Sequence, residues 1–307
     1  MKALIPASVL GAITLGLVAY NPATEQPPAG AQEKIAAALP ADAFAKPVKP
    51  RKLLVFSRTA GFRHASIVTG KLALTEMGKM TGAFETVVSD DLANFEKDNI
   101  AGFDAICFLS TTQNPFAPSK EEMKKMSDEE KKAAKQREMT LRDNLMSYVK
   151  RGGGFVGIHA ATDTFYDWPE YGEMINGYFD GHPWNANKKV SIYVEPGMEK
   201  HPLAAMFGGE RLEFNEEIYQ FKEPYDSSKV EMLLRLDPEK SDKVGGMKRK
   251  DSDYGVAWAR NWEKGKVFYC SIGHNHEMYW HPKVLAHYLA GIQWAMGDFK
   301  AELAEGK

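Results

Sequence analysis

The sequence predicts an α/β fold: a three-layer sandwich on a mostly parallel central sheet with some antiparallel additions. Two patterns carry that prediction. Continuous apolar runs of strand length, KLLVFS (52–57), FDAICFLS (103–110) and FVGIHA (155–160), recur between stretches of helical period, as expected of strands covered on both faces and joined by right-handed crossovers. Beyond residue 184 the apolar residues alternate instead, in KKVSIYVEP (188–196), VEMLLRLD (230–237) and YGVAWAR (254–260), which predicts half-exposed antiparallel strands.

The elements follow in order. After the first strand comes the loop RTAGFRHAS, then a helix to Met80 with Ile67, Leu72 and Leu74 among its apolar positions. FETVVSD (84–90) reads as the second strand and 103–110 as the third. Residues 113–139 are dominated by lysine and glutamate and read as a solvated helical excursion leading into a helix over 141–150. Gly152, Gly153 and Gly154 end that helix and open the fourth strand. KGKVFYCSIG (264–273) is a further buried strand, and the closing helix 284–296 covers the sheet through Leu285, Leu289, Ile292 and Trp294.

The N-terminus is set apart. Lys2 followed by the uncharged apolar run 4–20 reads as a signal peptide or a membrane anchor. This predicts a periplasmic or secreted protein, or a membrane-tethered one if the segment stays uncleaved. Candidate processing positions follow Gly30 and Ala45, residues 21–50 read as a linker, and residues 51–300 as one domain. A formal charge of −2, from 39 basic and 41 acidic residues, gives no electrostatic support for nucleic-acid binding. Cys107 and Cys270, each inside an apolar run, read as buried thiols rather than a disulfide framework.

Chemistry concentrates in GGGFVGIHAATDTFYDWPEYGEMINGYFDGHPW (152–184), NEEIYQF (215–221) and HNHEMYWHP (274–282). His159 stands at a strand end, where a parallel sheet places its active residues. His182 follows a glycine turn, and His274 and His276 follow the strand ending at Gly273. Imidazoles with a carboxylate suit a divalent metal such as zinc, so His159, His182 and His274 are the candidate ligands. Their linear spacing matches no standard zinc motif, and only the fold can bring them together. Asp163 and Glu217 are candidate bases, with Ile218 placed to anchor Glu217. Tyr166, Trp168, Trp184, Tyr219 and Trp280 suit the C–H faces of a sugar, while Arg63, His64 and His276 could meet its oxygens.

The segments LLVFSRTAGFRHASI, the stretch 152–184, EEIYQF, VAWARNWEKGKVFYCSIGHNHEMYW and HYLAGIQWAMG together cover most of residues 51–297. In these the chain resembles the ThuA-like (trehalose utilisation) family, related to the class I glutamine amidotransferase-like fold. The resemblance implies a flavodoxin-like core in which His159 and Ala160 occupy the amidotransferase nucleophile position. With no cysteine there, glutaminase chemistry does not carry over. It also implies sugar metabolism, with His159, Asp163, His182, Glu217 and His274 as the site. The expected activity is that of a sugar-active enzyme working on a glycoside or keto-sugar by hydrolysis, elimination or isomerisation. A non-catalytic carbohydrate-binding protein and a scaffold acting through residues 113–139 are the alternatives.

Overall fold

The computed structural model describes residues 25–304. Its elements run α1 (Ala31–Ala38), β1 (Lys52–Phe56), α2 (Ile67–Thr81), β2 (Glu85–Val88), α3 (Lys97–Ile100), β3 (Ala105–Leu109), α4 (Lys120–Lys125), α5 (Asp128–Lys150), β4 (Gly154–Ile158), α6 (Pro169–Ile175) and β5 (Tyr178–Phe179). There follow β6 (Lys189–Val194), β7 (Leu212–Asn215), β8 (Phe221–Lys222), β9 (Glu231–Leu236), β10 (Gly255–Trp262), β11 (Gly265–Cys270) and α7 (Pro282–Ala295). Nine strands form one sheet in the order β2-β1-β3-β4-β11-β10-β9-β6-β7. The first five are parallel to one another and the last four are joined antiparallel. β5 and β8 pair separately.

Three layers result because both sheet faces are apolar. One face carries Leu53, Val55 and Cys107 under α2 and α7, while the other carries Leu54, Phe56 and Phe108 under α3, α5 and α6. Consecutive residues of each parallel strand therefore point into different cores, and the whole run is apolar. β9 and β10 depart from their expected half-exposure: Leu233, Leu234 and Val256 pack into one core and Met232 and Trp258 into the other. Both faces of these two strands are covered. Cys107 and Cys270 are free, buried thiols as expected.

Local signals set the helix limits. α2 stops at Gly82, whose φ of 62° is left-handed, and α5 begins at a reciprocal cap between Ser127 and Glu130. The charged excursion thus becomes α4 and the first turns of α5, with Glu138 the exception: it is buried against Arg142 at 2.6 Å.

The segment read as a linker is also different in the fold. α1 buries Ala31 and Ile35 against α2 and the short 3₁₀ turn His276–Trp280, so these residues belong to the folded body. The missed signal was the helically spaced pair Ile35 and Leu39, in a stretch otherwise rich in alanine, proline and charge. Residues 1–20, read as signal or anchor, lie outside the described residues. Among the described residues no helix is long and apolar enough to cross a membrane.

Candidate functional site

The C-terminal ends of β1, β4 and β11 lie at one edge of the sheet, and the loops leaving them carry three imidazoles. His159 directly follows β4 with φ 53°, a conformation few non-glycine residues adopt. Its Nδ1 lies 2.8 Å from the Ser271 carbonyl oxygen. A carbonyl can only accept, so Nδ1 carries the hydrogen and Nε2 of the neutral ring presents its lone pair. The loop after β1 is latched to Thr112, whose carbonyl accepts from Ala60 N at 3.0 Å and whose hydroxyl accepts from Gly61 N at 3.1 Å. Ser66 Oγ then donates to Gly273 O at 2.9 Å, tying this loop to the one that follows β11. His64 is thereby held with its ring centre 4.6 Å from that of His159 and 5.1 Å from that of His274.

The carboxylate comes from the connection between β7 and β8. Residues 216–220 are extended, so alternate side chains face opposite ways. Glu216 is fully buried and accepts from the backbone N–H groups of Gly273, His274 and Asn275 at 2.8, 2.6 and 3.0 Å. Ile218 is buried, and its N–H donates to Trp184 O at 2.9 Å. Glu217 and Tyr219 turn the other way. Glu217 Oε1 lies 3.2 Å from His274 Nδ1 and 3.6 Å from His159 Nε2, while Oε2 lies 3.5 Å from His182 Nδ1. Tyr219 Oη is 3.1 Å from His159 Nε2. One ligand atom each from His64, His159, Glu217 and His274 fall within 4.8 Å of one another.

Burial dominates the electrostatics. It pushes the His64 imidazole down to about 3, with His274 and His182 adding to the effect, and holds His159 well below its ordinary value, with His64 and His274 adding to it. Both rings are therefore neutral near pH 7, the form that ligates metals. Burial also pulls on His274, but the adjacent Glu217 carboxylate more than offsets it and leaves that ring raised. Burial pushes the Glu216 carboxyl up, while the three backbone N–H groups donating to it pull it back down; both oxygens accept, an arrangement that favours the ionised form. Burial likewise lifts Asp163 to about 6, partly countered by Tyr166.

His64, placed by sequence among the substrate contacts, joins His159, His274 and Glu217 in the four-residue cluster. His182, expected as a ligand, is about half exposed and meets only the outer oxygen of Glu217 within this group. Asp163 Oδ1 accepts from Tyr166 Oη at 2.5 Å and from Gln113 Nε2 at 3.3 Å. Arg63 is held by Glu25 at 2.7 and 2.8 Å and by the Ser57 carbonyl at 3.0 Å, and His276 Nδ1 lies 2.7 Å from Thr69 Oγ1.

Of the three tryptophans, Trp184 corrects the sequence reading, while Trp168 and Trp280 are half-buried. Trp184 is 0% exposed and spends its indole N–H on Asp242 O, which leaves no face for a ligand. Trp168 packs on Phe165 and Tyr171 under Arg142. Trp280 packs on the core beneath Lys34 of α1. Aromatic clustering in sequence did not separate core rings from cleft rings. Sequence reading also passed over the role of Glu216; its signal was the doubled acid of NEEIYQF in an alternating stretch, which sends one carboxylate inward.

Buried polar atoms test whether a divalent cation fits. Among the described residues, His64 Nδ1 is buried with no hydrogen-bond partner, and such an atom is costly unless something ligates it. Three nitrogens and one carboxylate are a donor set that zinc accepts. The structure thus offers a candidate metal site at the edge where α/β sheets do chemistry.

Known proteins agree with the fold. A ThuA-like protein of Bacteroides uniformis matches with a TM-score of 0.60 at 20% identity, over 81% of this chain and 93% of its own. A ThuA-like protein of Parabacteroides merdae matches with a TM-score of 0.53 at 14% identity, over 84% and 94%. A cytoplasmic protein of Salmonella typhimurium matches with a TM-score of 0.51 at 12% identity, over 80% and 99%. No curated protein matches the chain. The sequence pattern of the family described as ThuA, trehalose utilisation, runs through residues 52–295, from β1 to the end of α7 and across every residue of the imidazole cluster. The chain belongs to the ThuA family, a carbohydrate-related family, and carries within that fold a cluster able to hold a metal ion.

Proposed function

We propose that this protein is an exported, divalent-metal-dependent enzyme acting on a glycoside or keto-sugar by hydrolysis, elimination or isomerisation. The observation that carries the reading is the convergence of His64, His159, His274 and Glu217 from three strand ends and one cross-sheet loop. These four residues would hold the cation, with zinc the best match to their donor atoms. Once bound, a divalent cation supplies Lewis acidity toward a substrate oxygen.

The chain's own groups do the rest. The His159 Nδ1–H to Ser271 O bond keeps Nε2 free of hydrogen, and Glu216 fixes the backbone that carries His274. With Glu217 engaged in the cluster, Asp163 is the remaining base: at about 6 it gains and loses protons near neutral pH, and Tyr166 orients one of its oxygens. We also read the parallel half as flavodoxin-like and related to class I glutamine amidotransferases. The left-handed turn at His159 supports this, since a nucleophile elbow uses a similarly strained strand-to-helix turn. Neither cysteine lies there, and burial lifts Cys270 to about 12, so a thiolate mechanism is not part of the proposal.

The test is metal analysis of the purified chain, followed by assay of native and 3-keto disaccharides with and without chelator. Stoichiometric metal and chelator-sensitive turnover are expected. Absence of both sinks the reading, whereas sugar bound but unaltered points to the carbohydrate-binding alternative.

A further inference from the structure

A cavity of about 1010 Å³ opens on the same sheet edge, lined by Arg58, Thr59, Arg63, Asp90, Gln113 and Asn114 among others. Its place follows from the topology. β1 sends the chain outward to β2 by way of α2 on one face, and β3 sends it the opposite way to β4 by way of α5 on the other. The two paths part between β1 and β3, and the crevice at such a switch point is where open α/β sheets bind ligands. The lining residues 58–61, 113–114 and 117–121 belong to the segments that leave β1 and β3 there.

The chemistry of the lining narrows the ligand. Asp90 accepts from Lys71 at 3.1 Å and from Ser57 N at 2.7 Å, and Arg63 is paired with Glu25. Arg58 donates to Ala117 O at 3.1 Å and lies close enough to Glu122 to help hold that carboxyl below its usual value. The cavity wall therefore mixes both signs of charge, with Asp90, Arg63 and Glu121 ion-paired, Arg58 turned onto a carbonyl and Lys120 exposed at the rim, together with the neutral hydrogen-bonding side chains of Thr59, Gln113 and Asn114. A hydroxyl-rich, uncharged ligand suits it better than an anion.

The cavity adjoins the imidazole cluster through Arg63, which lines it and whose neighbour His64 belongs to the cluster. It adjoins the candidate base through Gln113, which lines it and reaches Asp163 Oδ1. Phe62 stands on the linking loop, 65% exposed, with its ring 4.8 Å from that of His64 and edge-on to it. An exposed ring in that position offers a face to the C–H side of a sugar.

We propose that the switch-point cavity is a subsite for a neutral sugar ring, the second ring of a disaccharide whose first ring lies at the imidazole cluster. This rests on the carbohydrate reading above and adds to it a substrate of at least two rings. The test is calorimetric titration of the zinc-loaded full chain with glucose, maltose, trehalose and glucuronate. A disaccharide should bind about tenfold or more tighter than glucose, about 1.4 kcal/mol. Ala117→Trp, which fills the cavity from the segment that leaves β3, should erase that difference while zinc and glucose affinity stay unchanged. If Ala117→Trp does not fold, Arg58→Ala decides in its place, with an expected weakening of disaccharide binding alone. Disaccharide binding no tighter than glucose, or untouched by these variants, overturns the subsite and leaves the carbohydrate reading standing. A preference for glucuronate overturns the neutral ligand, and no sugar binding at all overturns both.

Discussion

The two halves of the sheet build the candidate site in different ways. The parallel half, β2-β1-β3-β4-β11, delivers His64, His159 and His274 from strand ends that topology already places at one edge. The antiparallel half delivers Glu216, Glu217 and Tyr219 from a loop between β7 and β8 that has no such built-in address. It is positioned by contacts instead: Ile218 docks on Trp184, and Glu216 grips residues 273–275 of the other half. Parallel topology supplies convergence without special residues, whereas a cross-sheet loop needs a buried clamp to aim one carboxylate.

The most direct way to break this comparison is to remove one donor from each half. His159→Ala and Glu217→Ala should each weaken zinc binding by more than the ~10–100-fold that follows loss of an outer-shell partner. Competition against a chromogenic chelator measures this, with circular dichroism to confirm folding. If Glu217→Ala leaves zinc affinity intact, the ion belongs to the parallel half alone.

Glu216→Gln sharpens the same point through the clamp. The amide NH₂ would face a backbone N–H that now finds a carboxylate oxygen, leaving buried donors unsatisfied at about 1–3 kcal/mol. Stability should fall by that order in urea, and zinc affinity by ~10–100-fold through His274. An unchanged zinc affinity in a destabilised variant would reduce Glu216 to a purely structural role.

This asymmetry also governs what could be read from the sequence. Runs such as KLLVFS and FDAICFLS are apolar on both faces, so the parallel strands and the edge carrying His159 and His274 were legible without coordinates. Glu217 was legible as a candidate because Ile218 follows it as an anchor. His64 was visible only as part of a loop sharing the sheet edge, since nothing local distinguishes a ligand from a substrate contact. Trp184 misled because an aromatic near a histidine in sequence has no fixed side of the core. Ile35 and Leu39 were too few to signal that α1 packs, and β7 too short to stand out.

Trp184→Phe probes the part of the antiparallel half that supports the site without entering it. The indole N–H to Asp242 O bond and some packing volume are lost, at a cost of about 1–3 kcal/mol. Zinc and sugar affinities should stay as in the parent chain, measured by the same competition and titration. A selective loss of sugar affinity at unchanged stability would return Trp184 to the ligand site that its burial argues against.

Asp163 offers the smallest effect and tests whether the parallel half also carries its own proton-transferring group. Its carboxyl is held up at about 6 against an ordinary 3.8, chiefly by burial. A raised carboxyl means the folded chain binds more protons than the unfolded chain between those values, so the stability it contributes is fully present below about 3.8 and lost as pH rises through about 6. Asp163→Asn has no proton to lose. Melting temperatures of the two proteins should therefore converge near pH 4 and separate as pH rises to 7, with the asparagine variant the more stable, and the separation should level off above that. A gap that stays constant from pH 4 to 8, or one that favours the parent chain at the upper end, would show that burial does not hold up this carboxyl, and the base would have to be sought on the antiparallel side.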